Sequence, residues 1–384
     1  MPDAPSGGTP LVTERVDDPA RLDALRDEWD ALAVAAARPY CSPAWMLSWW
    51  RHARPSGARL QAIAVYEDER LVGIAPLWLG SKRYAGPVHR LLAGGLSAPV
   101  GPLAVPGREP EVAAAIASAL SGGSGDAAPR VLRLDGQQGA PVWPTVLADA
   151  WPGARPWTHS ALPVASPTVQ IGQLDYEQWL AGKTQNFRQQ ARRFRRRLEK
   201  DGARFVTADL GSIDKLLQAF VALHGARWSE RGGSNALVDG LVPMLSDAAR
   251  ELLPLGRFRA FGLEVDGAFV SVQLFVAAGG EVSYWNGGFD ERWERSKPAL
   301  QTLLFAIGDA MERGDNRIDL GPGAQDYKLR LADGEDVVDT VTLVPRGPTY
   351  PSSRLRLAPY QARWGLSRRL TSETKQRLRR LARR

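Results

Sequence analysis

Between Arg317 and Lys328 the chain reads Arg317-Ile-Asp-Leu-Gly-Pro-Gly-Ala-Gln-Asp-Tyr-Lys, which puts carboxylates, a phenol and a primary amine in one short segment. Asp319 can orient Lys328 or take a proton from an amine or hydroxyl. Beside Gly321 and Gly323 it can equally close an Asx-type turn. Asp326 is a weaker candidate of the same kind. Upstream, Trp285-Asn286-Gly287-Gly288 ends a strand-like run, and glycine there permits close approach by a ligand or another backbone.

The elements that must position these groups are legible nearby. Asp266-Gly267 lies between two apolar, β-prone runs and is a two-residue hairpin signal. Glu281 to Gly287 alternates and is aromatic, so it reads as a third strand. From Pro298, residues Leu300, Leu303, Leu304, Ile307 and Met311 fall at helical spacing, with Ser296 placed to cap and Pro298 in the first turn. A short strand, Arg317 to Leu320, follows Gly314.

That order of hairpin, strand, helix and strand resembles the core of the GNAT acyltransferase fold. The wording Asp319-Leu-Gly321 followed by Tyr327-Lys328 resembles its FemAB-like and CelD/BioF2-like branch. The resemblance implies an acyl-CoA donor, most simply acetyl-CoA. A splayed strand end would pair the pantetheine arm, and the free amides of the next helix would face the pyrophosphate. It also implies that Lys328 sits at the acyl-transfer centre, where a cation stabilises an oxyanion, and that Tyr327 protonates the leaving thiolate. The plain alternative for Lys328 is a solvated residue ahead of a loop. Asn286, Gly287, Ser296, Lys297 and Ala299 are then expected at the donor. Many relatives have glycine where this chain has Ala299, and the usual Arg/Gln-x-x-Gly-x-Gly/Ala signature is absent; Lys297 can compensate as a phosphate contact. Trp285 is a candidate platform for substrate or a core residue.

The segment from Lys183 to Arg204 holds nine basic and two acidic residues. Phe187, Ala191, Phe194 and Leu198 share one helical face and arginines fill the others. Arg188 and Arg192 are therefore candidates for binding an acceptor's phosphate or carboxylate, CoA phosphates, or RNA were the donor aminoacyl-tRNA; the alternative is a solvated face paired with an acidic body. His224 and Trp228 match a helix position where relatives show histidine and tryptophan, so both are expected near the acceptor, although a lone helix histidine commonly has a structural bond.

The chain has 384 residues with 44% hydrophobic content and 13 tryptophans, enough for two ordinary domains. Its net charge of +7 resides in two segments, because Arg354 to Arg384 adds eleven basic residues against one acidic. A single cysteine, Cys41, excludes an intramolecular disulfide. No metal site is expected, since His52, His89 and His159 lack ligand spacing. No Walker loop or dinucleotide fingerprint occurs, which disfavours nucleotide hydrolysis and hydride transfer. Without a signal-peptide pattern or a long apolar run, the expectation is a cytoplasmic protein, peripheral at most to the inner membrane.

Ala62-Ile-Ala-Val-Tyr-Glu-Asp and Ala260-Phe-Gly-Leu-Glu-Val-Asp align at a constant offset of 198 residues. This short echo fits an α/β (α+β) chain of two tandem GNAT-like units, each a mixed sheet flanked by helices. The expected division is a disordered 1–10, an N-terminal unit at 11–165, a C-terminal unit with the active site at 166–350, and a basic helical tail at 351–384. That tail, with Leu370, Leu378 and Leu381, can lie on an anionic membrane surface or pack on the body. The expected activity is acyl transfer to an amine or hydroxyl of a small molecule or, as the resemblance implies, of a cell-envelope or exopolysaccharide precursor, with no DNA partner. Two alternatives stand beside it: a Fem-type transferase using charged tRNA, and a non-catalytic module binding an anionic glycan or membrane surface, to which Ala299 lends support.

Overall fold

The computed structural model describes residues 10–80, 87–123, 125, 128–138, 142–161, 163–172, 174–229, 237–323 and 325–369. The first half runs β1 (Val12–Val16), α1 (Pro19–Asp23), α2 (Arg26–Ala35), α3 (Pro43–His52), β2 (Arg59–Leu60), β3 (Ala62–Glu67), β4 (Arg70–Ala75), β5 (Leu77–Gly80), β6 (Val88–Leu91), β7 (Leu103–Ala104), α4 (Glu109–Ser121), β8 (Leu132–Gln137), α5 (Trp143–Asp149) and β9 (Trp157–Ser160). Then β10 (Val164–Gln170), α6 (Tyr176–Ala181) and α7 (Gln185–Lys200) lead into β11 (Arg204–Thr207), α8 (Ile213–Ser229), α9 (Leu241–Leu252), β12 (Phe258–Val265), β13 (Ala268–Ala278) and β14 (Glu281–Phe289). The order ends with α10 (Pro298–Glu312), β15 (Arg317–Asp319), α11 (Asp326–Leu331), β16 (Gly334–Val344) and α12 (Tyr350–Arg369).

The two halves repeat one antiparallel pattern. Strands β1-β3-β4-β7 form one sheet in the order that β11-β12-β13-β14 take at the end of a larger one. The β12–β13 hairpin turns through Asp266 (φ 49°) and Gly267 (φ 79°), both left-handed as a type I′ turn requires. A β-bulge interrupts β3 between Val65 and Tyr66, and another interrupts β12 between Leu263 and Glu264. These are equivalent positions under the 198-residue offset, so the echo in sequence is an echo in strand geometry.

The sheets are not divided one per half. The larger, 12-stranded sheet continues from β15 through β10, β16 and β8 to β6, β5 and β2. Strands β2 and β3 are separated at Gln61, and β4 and β5 at Pro76, and the chain crosses between the sheets at both points. Proline cannot donate to a ladder, which explains the second break. Ser166, where the sequence reading divides the chain, lies inside β10, hydrogen-bonded to β15 and β16.

One buried core joins the halves, with Trp45 and Trp49 of α3, Phe220 of α8 and Met244 of α9 in a single cluster. A second cluster lies under α10 and includes Phe261, Phe275, Leu303 and Ile307. No helix among the described residues is long and apolar enough to cross a membrane. Leu370, Leu378 and Leu381 of the basic tail, and residues 1–9, lie outside the described residues.

Candidate active site

The site begins where two parallel strands part. Strands β14 and β15 pair over Glu281–Arg317, Val282–Ile318 and Ser283–Asp319 and then diverge. On one side, β14 bulges: Phe275 of β13 faces Tyr284 while Leu274 faces Asn286, so Trp285 is the extra residue. On the other, the chain leaving β15 is drawn onto β10, with Leu320 N donating to Pro167 O (2.9 Å) and Gly323 N to Ala165 O (2.7 Å). Gly321 makes this exit at φ 77°, where a Cβ would also press on the Tyr284 carbonyl oxygen at 3.1 Å. An ion pair between Arg317 and Glu281 (2.9 Å) pins the closed end.

A cleft of about 410 Å³ opens from the splay. Its walls are Tyr284, Gly287 and Phe289 of β14, Gln273 of β13, Arg227 of α8, and Phe187 and Phe194 of α7. Glu294, then Lys297, Pro298 and Ala299 at the start of α10, and Asp326 and Tyr327 of α11 line it too, with Gln190, Leu300, Leu303 and Arg330. The amides of Ala299 and Leu300 belong to the first helical turn, which has no carbonyl one turn back to bond, and the positive end of the helix dipole lies there. A larger groove of about 730 Å³ runs between α6, α7 and α10. It lacks the tyrosine pair described next, and its Arg192, Arg195 and Arg196 are matched by Glu177, Glu199, Asp309 and Glu312 on the same walls. The chemistry therefore converges on the smaller cleft.

Tyr284 and Tyr327 meet across the splay, their hydroxyls joined in a hydrogen bond. Burial raises both phenols above their ordinary range, Tyr284 strongly, while the charge of Arg227 opposes the rise in each. Both stay protonated at neutral pH.

Lys328 is 5% exposed, not a solvated residue ahead of a loop. Its Nζ donates to the carbonyls of Gly321 (2.9 Å) and Pro322 (3.3 Å) and lies 5.8 Å from the Tyr284 ring centroid. Desolvation pushes its pKa down to about 8, with the charge of Asp319 opposing the fall. Asp319 itself forms the Asx-type turn: Oδ1 accepts from Ser166 Oγ (2.6 Å) and Gly321 N (2.8 Å), and burial raises its pKa. Lys328 and Asp319 thus stand behind the cleft and hold the glycine loop, and Tyr327 faces into it.

Other sequence candidates are dispersed. Arg188 Nη1 donates to the carbonyls of Ala181 (2.8 Å) and Lys183 (2.6 Å), and the residue does not line the cleft. Arg192 contacts Glu177 at 3.3 Å and lines the larger groove. Trp285 is a packing residue: it meets Trp45 edge-on at 5.9 Å and Phe220 at 5.7 Å, and its indole donates to Leu96 O. The reason is strand alternation, which sends Tyr284 to one face of the sheet and Trp285 to the other. His224 is buried, with Nδ1 2.9 Å from Gly287 O, and burial lowers its pKa. The Trp228 side chain lies outside the described residues. Asn286 accepts from the neighbouring Gly287 N (2.9 Å).

Ser296 does not cap α10. It is the buried last residue of a 3-10 turn (Glu291–Ser296), and Lys297 occupies the cap position at φ 49°. Pro298 keeps the preceding residue out of the helical region, which explains the displacement. Tyr284, Arg227, Gln273 and Glu294 are among the wall residues not singled out from sequence. Gln273 had a signal, a long polar side chain inside the apolar run Phe269-Val-Ser-Val-Gln-Leu-Phe-Val. Arg227 had none that set it apart from the chain's other arginines.

No group of three or more metal-ligating side chains occurs among the described residues. Residues 185–329 match the protein family described as an acetyltransferase (GNAT) domain. No curated protein matches the chain in sequence. Among solved structures, that of FemX is similar with TM-score 0.60 and 11% identity, covering 85% of this chain and 97% of its own. A conserved protein of unknown function from Bacteroides thetaiotaomicron VPI-5482 gives TM-score 0.52 and 9% identity, covering 87% and 100%. A tandem GNAT protein from the clavulanic acid biosynthesis pathway gives 0.45 and 14%, covering 88% and 99%. At these identities the likeness is one of fold.

Proposed function

Residues 185–329 match a GNAT acetyltransferase domain, and on that premise we propose that the protein moves an acyl group, most simply acetyl, from acyl-CoA to an amine or hydroxyl. The observation that carries this reading is the splay of β14 from β15, which opens onto the start of α10 with Tyr327 on its wall.

The residues present fit the arm of an acyl-CoA. The unpaired edge of β14 beyond Ser283 offers backbone groups, and the first turn of α10 offers amides to a pyrophosphate, with Lys297 beside them. Alanine at 299 lines the cleft without a side chain long enough to block that turn. When bound there, the thioester supplies an activated acyl carbon.

The chain's own part is proton management and charge. The acceptor's nitrogen or oxygen bonds to the acyl carbon, the carbon–sulfur bond breaks, and Tyr327 gives its hydroxyl proton to the departing sulfur. Tyr284, hydrogen-bonded to Tyr327, can donate its proton to the phenolate oxygen that forms and so stabilise it. Glu294 and Asp326 on the wall can receive the acceptor's proton, and solvent restores Tyr327. Lys328 fixes the loop behind Tyr327 and adds positive charge beneath the Tyr284 ring.

The test is a calorimetric titration with acetyl-CoA, longer acyl-CoAs and free CoA. Micromolar binding of one acyl-CoA supports the donor. Failure of every acyl-CoA to bind overturns the reading and directs attention to charged tRNA and anionic surfaces.

A further inference from the structure

Gln273 and Arg227 are among the polar side chains of the cleft wall that take no part in the steps above. Gln273 is 2% exposed, and its Oε1 has no hydrogen-bond partner among the described residues; its Nε2 reaches Ser271 Oγ at a long 3.4 Å. The amide lies in the space left by the missing side chain of Gly287, where any Cβ would collide with it. It is therefore held across β14 at the cleft wall. A buried acceptor without a partner is costly, and a ligand that donates to it relieves the cost.

Arg227, in the last turn of α8, brings a charge to the same cleft. Its guanidinium lies over the Phe289 ring, 4.6 Å from the centroid. Its carboxylate contact among the described residues is loose, Nε to Glu291 Oε1 at 3.9 Å, and Nε is buried without a hydrogen bond. The direction of approach matters. Phe220 of α8 packs in the core with Trp285, whereas α10 packs in the cluster containing Tyr284. Arg227 thus comes from the sheet face opposite α10 and meets the start of that helix across the same cleft.

We infer that the acceptor carries an anionic group, carboxylate or phosphate, close to its nucleophilic amine or hydroxyl, with Arg227 pairing the anion and Gln273 Oε1 accepting a hydrogen from the nucleophile. Planar guanidinium pairs both anions bidentately, so the two are distinguished by experiment and not by shape. This assignment rests on the acyltransferase reading for the identity of the nucleophile but not for the presence of the anion.

Three probes of matched size separate the terms: ethanolamine, β-alanine and O-phosphoethanolamine, titrated into the full-length protein with acetyl-CoA titrated in parallel. At least one anionic probe binds about tenfold or more tighter than ethanolamine, the scale of a charge-assisted pair. Arg227→Met abolishes that ratio, Arg227→Lys retains part of it, and Gln273→Leu weakens all three probes alike. Equal binding of the three, no binding of any, or a ratio that survives in Arg227→Met overturns the inference. The parallel arm keeps the two readings apart. Acetyl-CoA binding without charge preference sinks only the acceptor assignment. Charge preference without binding of any acyl-CoA sinks only the donor.

Discussion

His224 Nδ1 lies 2.9 Å from the carbonyl oxygen of Gly287, and the backbone nitrogen of the same histidine stands 2.7 Å from where a methyl on Gly288 would be. Helix α8 and strand β14 are so close here that glycine at 288 is a packing requirement. Gly288→Ala must displace backbone on α8, since Leu223 Cβ and C lie at 2.9 and 3.1 Å from the same point. Overpacking of this kind costs about 1–3 kcal/mol. Urea melts of the variant should show that loss; a midpoint equal to wild type would refute the close-approach account.

Trp285 should behave as a core residue. Its removal takes one ring contact from each of Trp45 and Phe220, so Trp285→Ala should destabilise by about 3 kcal/mol, near the lower bound for deleting a large aromatic because the site is partly open. Trp285→Phe should restore most of the stability. The reverse pattern, normal melting with lost ligand affinity, would return Trp285 to the binding site.

Tyr327→Phe removes the proton and keeps the ring. Turnover should fall by about 10²-fold or more, the usual contribution of a positioned general acid, while acyl-CoA affinity changes little. Tyr284→Phe should cost less, because Tyr327 then loses a supporting bond and keeps its proton. Equal turnover in Tyr327→Phe and wild type would exclude it as the acid.

Lys328 gives stability a pH signature. Its pKa is about 8 in the folded chain against an ordinary 10.5, so between those values the unfolded chain binds more protons. Stability must therefore rise with pH across that window, by an amount up to about 3 kcal/mol from the size of the shift. Below pH 8 the penalty is fully present, and above 10.5 it is gone. In Lys328→Met the slope should flatten, which denaturant midpoints measured at successive pH values would reveal.

Lys297→Glu reverses a charge beside the first turn of α10. Its pairing with Glu294 is loose (3.6 Å) and exposed, so the lysine is available to a ligand. Acyl-CoA and free CoA should both bind about tenfold more weakly, in equal proportion because the contact is to phosphate and not to the acyl group. Unchanged affinity for both would remove Lys297 from the donor site.

Much of the frame was legible before any coordinates. Asp266-Gly267 can only be a tight hairpin because both residues tolerate positive φ. The spacing from Leu300 to Met311 can only be one buried helical face. The 198-residue echo survives as two hairpins bulged at the same place. The site was less legible. Ser296 looked like a cap, yet Pro298 displaced the cap by one residue. Arg188 and Arg192 looked equivalent, but one satisfies helix-end carbonyls while the other faces a different groove.

What the sequence determined by itself is local: hairpin, helix start, glycine exit and the repeated order of elements, each set by backbone preferences within a few residues. The tertiary structure alone decided which side chains share the cleft. Tyr284 meets Tyr327 because β15 parts from β14 and is drawn onto β10, and the extra residue Trp285 resets the register of Asn286 and Gly287 against β13. Those events depend on sheet register between segments far apart in the chain, and a period of two transmits one extra residue into a change of face for the side chains that follow.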